Sequence, residues 1–170
     1  MAEALASQTI STGKAVSYAQ IAQEIAAVLE GEPNAIARMA TVVAMLASTF
    51  DAYSWTGFYL VDPARPKDLP KELVVGPYQG ALGCLRIAFG RGVCGAAAES
   101  GRTQIVADVH AFPGHIACDS RSNSEIVVPA FGPDGALIGV LDVDSTAFAA
   151  FDEVDAAGLE AILAQIFGAG

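Results

Sequence analysis

The chain has 170 residues, enough for one domain with a core of its own. Apolar residues make up 53 % of it, much of that alanine, yet the uncharged run inside the second helical segment, Met39 to Phe50, is shorter than the roughly 20 residues a bilayer span needs. Lysine plus arginine total 9 against 19 aspartates and glutamates, and the net charge of -10 argues against the basic surfaces that nucleic acid and anionic membranes require.

The N-terminus, MAEALASQTISTGKA, shows no basic segment followed by an apolar one, so no export signal is expected. Residues 1–16 read as a loose leader, 17–170 as a single domain, and the setting as cytoplasmic. Ser17 and Gln20 match a capping box, and Ile21, Ile25, Val28 and Leu29 follow at helical spacing. Gly31 ends that helix and Pro33 starts a second, whose stripe is Ile36, Ala40, Val43, Leu46, Ala47 and Phe50. WTGFYLVD (55–62) then alternates as a strand, with Trp55, Gly57, Tyr59 and Val61 on one face and Phe58 and Leu60 on the other. The charged, proline-rich 63–71 is a hairpin loop, and 72–79 and 84–89 are further strands. A short helix is predicted near 93–100, a strand at 104–107 and a long loop through Cys118. EIVVPAF and ALIGVLDVD form a hairpin across Gly132-Pro133-Asp134-Gly135. A last helix opens at Asp152, with Leu159, Ile162, Leu163 and Ile166 on one face.

This order lacks regular βαβ alternation. It predicts an α+β domain with a largely antiparallel sheet, the N- and C-terminal helices on one face and a pocket of loops and the short helix on the other. Gly90-Arg91-Gly92-Val93-Cys94-Gly95 spells a dinucleotide-type glycine pattern, with Asp108 about 20 residues on. The helix is too short and the parallel units too few for a doubly wound sheet, so the glycines are read as tight-turn and packing positions.

The chemistry-bearing residues fall in three groups. Cys118 sits in a polar Asp/Ser/Asn-rich loop just before an apolar strand, a setting that suits a reactive thiolate, although a loop cysteine is equally often idle. His110, His115 and Arg121 are the basic groups near it. Cys84, among glycines, suits a cysteine that moves to meet another thiol. Cys94, at a helix start, is expected to have a somewhat lowered pKa or to be a small packing residue. Asp142 and Asp144, at i and i+2, share one strand face, with Glu125 close in the partner strand. One exposed acid would be a solvated face; three together favour a cation pocket for a substrate ammonium, and mutual repulsion favours keeping one of them protonated. The ligand spacings of hard-ion and zinc sites are missing, so no metal is expected. Trp55 and Tyr59 are either ordinary sheet packing or an aromatic pocket wall.

Taken together, WTGFYLVD, GPYQG, GRGVCG, DVHAFPGHIACDSRSNSEIVVP and IGVLDVDS resemble the free methionine-(R)-sulfoxide reductases, single GAF-domain enzymes. The resemblance implies a GAF fold and a reaction. Cys118 would attack the sulfoxide sulfur of free methionine-(R)-sulfoxide, helped by an acid, Glu125 or an Asp. The resulting sulfenic acid would condense with Cys84, the first choice, or with Cys94, and thioredoxin would reduce the disulfide. Asp142 and Asp144 would hold the ammonium, groups of the 118–124 loop the carboxylate, and Trp55 and Tyr59 the methyl-thioether end. It implies no bound cofactor, an external dithiol and a homodimer. A rival reading is a sensor module binding a small ligand, but Glu125, Asp142 and Asp144 would repel a phosphate.

Overall fold

The structure, a computed structural model, describes residues 2–62, 64–66, 68–114 and 120–168, with side chains from residue 13 onward. Four helices, α1 (Ala2–Val28), α2 (Ala35–Thr49), α3 (Gly92–Ser100) and α4 (Glu153–Phe167), accompany six strands: β1 (Trp55–Val61), β2 (Glu72–Gln79), β3 (Arg86–Ala88), β4 (Gln104–Val106), β5 (Ser124–Phe131) and β6 (Leu137–Ser145). The strands form one sheet in the order β3-β2-β1-β6-β5-β4, every neighbouring pair antiparallel.

Period-2 alternation divides the sheet into two cores. Phe58, Ile126, Val128, Leu141 and Val143 pack under α1, α2 and α4. Trp55, Tyr59, Val127 and Val140 point the other way, towards α3 and the loops. Burying these apolar faces is the main force holding the layers together. The expected two-faced architecture is therefore present.

Local signals explain most helix ends. Asp152 caps α4, its carboxylate accepting from Val154 and Asp155 N–H, while the Asp155 carboxylate accepts the Asp152 N–H at 2.8 Å. Asn34, one residue beyond Pro33, caps α2 by accepting from Ala37 N–H. The buried stripe of α2 is Met39, Val42, Val43 and Leu46; Ile36 is exposed, so the stripe is rotated from the expected one.

The start of α1 departs most from expectation. The helix begins at Ala2, running through the segment read as a leader, and Ser17 lies in its interior. Its hydroxyl donates to the Gly13 carbonyl one turn back instead of capping anything. Lys14 shows what holds this part down: its ammonium lies 2.6 Å from Asp155 and 3.1 Å from Asp152. Tyr18 donates to the other Asp155 oxygen at 2.9 Å and bonds to the Tyr53 hydroxyl. The capping carboxylate of α4 thus also anchors α1. Among the described residues, no helix is long and apolar enough to cross a membrane.

Candidate active site

Register alone builds the floor of the pocket. Trp55 lies opposite Asp144 and Gly57 opposite Asp142 across β1 and β6; Glu125 lies opposite Asp144 across β5 and β6. Three acids and the first aromatic therefore converge where the start of β1, the start of β5 and the end of β6 meet. Trp55 and Tyr59 stack with ring centroids 5.7 Å apart, and Tyr78 stacks on the far side of Trp55 at 5.3 Å. Trp55 and Tyr59 form one wall of a pocket that encloses about 510 Å³ of empty space, its open mouth included.

Helix α3 supplies the opposite wall. Gly90 and Gly92 take positive φ, and a Cβ at Gly95 would meet the Ala88 carbonyl at 2.4 Å. The glycines of this motif therefore allow the turn and close packing expected of them, and that packing delivers Cys94 to the carboxylates. Its thiol donates to Glu125 Oε1 across 3.9 Å. Cys94, Glu125 and Asp142 bring one sulfur and two oxygens within 4.8 Å of one another, a spacing that would admit a divalent cation. All three are buried.

Burial sets their protonation. It pushes the Asp142 carboxyl up to about 6. Glu125 is pushed well above the usual carboxylate range by burial first, then by the charges of Asp142 and Asp144. Of the two carboxyls, Glu125 is thus the one favoured to keep its proton and Asp142 the one favoured to ionise, separated by environment. Cys94 contradicts its expected lowered pKa: burial, then Asp142 and Glu125, drive its thiol well up, overriding the start of a short helix. It is an inert buried thiol in this setting.

One polar atom of the pocket lining is left over. Asp142 Oδ1 is buried without a hydrogen-bond partner among the described residues. A carboxylate oxygen in that state requires a donor, and a cationic one would best offset its desolvation.

Of the remaining expected residues, Cys84 sits at the edge of the aromatic core and is disulfide-bonded, whereas Cys94 is free. Cys118 and His115 lie outside the described residues. His110 hydrogen-bonds Asn123 through Nε2 at 3.1 Å, joining the two ends of the loop that contains Cys118. Ser122 is buried in the pocket lining, and Leu82, Ile87, Arg91 and Val93 also line it. Ser122 belongs to the 118–124 segment from which the carboxylate contacts are expected, and Arg91 and Val93 to the glycine motif, whereas Leu82 and Ile87 carry no chemical pattern until the fold gathers them.

The sequence pattern of the GAF domain family matches residues 33–167. GAF domain-containing protein A of Dictyostelium discoideum is 48% identical, the match covering 91% of this chain and 93% of that one. Free methionine-R-sulfoxide reductase of Escherichia coli is 42% identical over 88% of this chain and 86% of its own length. In structure, the chain superposes with a TM-score of 0.83 on the free methionine-R-sulfoxide reductase of Neisseria meningitidis in complex with its substrate, with 47% identity, covering 90% of this chain and 87% of that one. The chain belongs to the GAF-domain family and, within it, to the free methionine-R-sulfoxide reductases.

Proposed function

We propose that this protein reduces free L-methionine-(R)-S-oxide to methionine. The observation that carries this reading is the buried, unpartnered Asp142 oxygen in an acid-lined pocket walled by Trp55 and Tyr59. A free amino acid with an apolar, sulfur-bearing side chain matches both halves. Its ammonium supplies the missing donor to Asp142, with Asp144 beside it, and its methyl-thioether end lies on the aromatic rings. Hydroxyls and N–H groups of the 118–124 segment take the carboxylate.

The chemistry follows from the two carboxyl states. Cys118 thiolate attacks the sulfoxide sulfur, donating an electron pair. Glu125, the carboxyl that burial and its acidic neighbours favour in the protonated form, gives its proton to the sulfoxide oxygen. The incoming ammonium favours the ionised carboxyl and so helps release that proton. The sulfur–oxygen bond breaks, the protonated oxygen passes to the Cys118 sulfur as the transient Cys118–methionine sulfur–sulfur bond breaks, and Cys118 is left as a sulfenic acid while methionine leaves. Cys84 thiol then condenses with it, forming a disulfide and water. What supports Cys84 over Cys94 is that Cys84 is disulfide-bonded while Cys94 is a free, buried thiol with a raised pKa. Thioredoxin, an external dithiol, returns both cysteines to thiols by exchange.

The test is direct. Wild type incubated with free methionine-(R)-sulfoxide and dithiothreitol should release methionine, and Cys118→Ser should release none. A Cys118→Ser variant with wild-type rates would remove the nucleophile.

A further inference from the structure

The two most exposed large apolar side chains among the described residues flank the half-cystine. Leu82 is 78% and Leu85 70% exposed, on either side of disulfide-bonded Cys84. Their exposure is built in. The Trp55 indole donates to the Ala81 carbonyl at 3.0 Å, and a Cβ at Gly83 would lie 2.9 Å from the Tyr59 hydroxyl and 3.1 Å from the Trp55 ring. At the other end, the Leu85 carbonyl accepts the Val75 N–H at 3.0 Å. The loop backbone is pinned to the aromatic wall and to β2, and its leucines are held towards solvent. Leu82 also borders the pocket mouth, where the exposed Arg91 stands with it.

We propose that Leu82 and Leu85 form the docking surface for the dithiol protein that regenerates the enzyme, seating its reactive thiolate against Cys84. This rests on the reading that the disulfide of Cys84 is the product of turnover. The occupant is a protein with a reactive dithiol and apolar groups around it. Its thiolate attacks Cys84 Sγ, the disulfide breaks, and Cys118 leaves as a thiolate. The second thiol of the partner then attacks the partner sulfur of the mixed disulfide. Cys84 is released as a thiolate and takes up a proton, and the partner, oxidised by two electrons, keeps the disulfide. Exposed apolar groups around a bond that must be reached by another protein are the expected form of such a contact.

Turnover is measured with thioredoxin and its reductase, and separately with dithiothreitol, for wild type, Leu85→Ser and Ile36→Ser. Leu85→Ser should raise the KM for thioredoxin tenfold or more with its dithiothreitol rate unchanged. Ile36→Ser, exposed on α2, should change neither. Thioredoxin lacking its resolving cysteine should be trapped on Cys84, as peptide mass spectrometry would show. An unchanged thioredoxin KM in Leu85→Ser overturns the docking site while the activity stands. So does trapping on Cys118, or a fall from dimer to monomer mass in Leu85→Ser with unchanged KM, which would assign the leucines to a second copy of the chain. No methionine from wild type with either reductant would remove the functional reading, and this proposal with it.

Discussion

Replacing Asp142 by asparagine should make the protein more stable and a worse binder of substrate. In the folded chain burial raises this carboxyl from an ordinary 3.8 to about 6, a shift that corresponds to about 3 kcal/mol. Below pH 3.8 both folded and unfolded chains hold the proton and no cost arises. As pH rises through the window to about 6, the unfolded chain loses its proton first, and stability falls. Above that window the full penalty persists. An amide at this position never ionises and carries no such penalty. Urea unfolding at pH 8 should therefore favour the Asp142→Asn variant by up to about 3 kcal/mol, and at pH 4 the two proteins should converge. Binding should move the other way. A hydrogen bond to a charged group contributes about 1.5–3 kcal/mol, so KM for free methionine sulfoxide should rise about 10- to 100-fold. A variant less stable than wild type at pH 8, or one with unchanged KM, would refute the assignment of Asp142 as a buried anion awaiting a cation.

Glu125→Gln should lower kcat by about 10²- to 10⁴-fold with a smaller change in KM, because it removes the proton donor and keeps the shape; an unaltered kcat in steady-state assays would exclude Glu125 from that role. Cys84→Ala should stall after one turnover with a sulfenic acid on Cys118, detected as a dimedone adduct by mass spectrometry; rapid disulfide formation in this variant would make Cys94 the resolving thiol. Gly95→Ala places a methyl 2.4 Å from the Ala88 carbonyl and should cost about 1–3 kcal/mol in denaturant unfolding as α3 is forced off the sheet; a neutral change would mean the turn yields freely. Tyr18→Phe removes the hydroxyl that donates to buried Asp155 and should cost about 1–3 kcal/mol, read by the same unfolding experiment; no loss would mean Lys14 and the Asp152 N–H satisfy that carboxylate without it.

Much of this was legible before the fold. Alternation in 55–62 placed Trp55 and Tyr59 on one face and Phe58 and Leu60 on the other, and these faces are the two cores. The i, i+2 spacing of Asp142 and Asp144 put both on the pocket face, because side-chain direction in a strand depends on parity alone. The Glu125–Asp144 pairing was foreseen only as proximity; its register depends on the hairpin. What stayed hidden depended on tertiary contact. Ser17 and Gln20 match a cap in composition, but the helix continues to Ala2, and Lys14 within it is anchored by acids near residue 155. The helix start alone predicts a lowered pKa for the Cys94 thiol, whereas the groups that act on it come from β5 and β6. Leu82 and Leu85 carried no signal, since exposure is a property of the folded loop.

The central claim is that the acid pocket reads the free ammonium of an amino acid beside a sulfoxide. Initial rates with a common dithiol should be compared for free methionine-(R)-sulfoxide, its (S) epimer and the N-acetylated (R) form. The account predicts turnover of the free (R) form and little or none of the other two, since acetylation removes the cation that would meet the unpartnered Asp142 oxygen. Equal turnover of the acetylated form would contradict it.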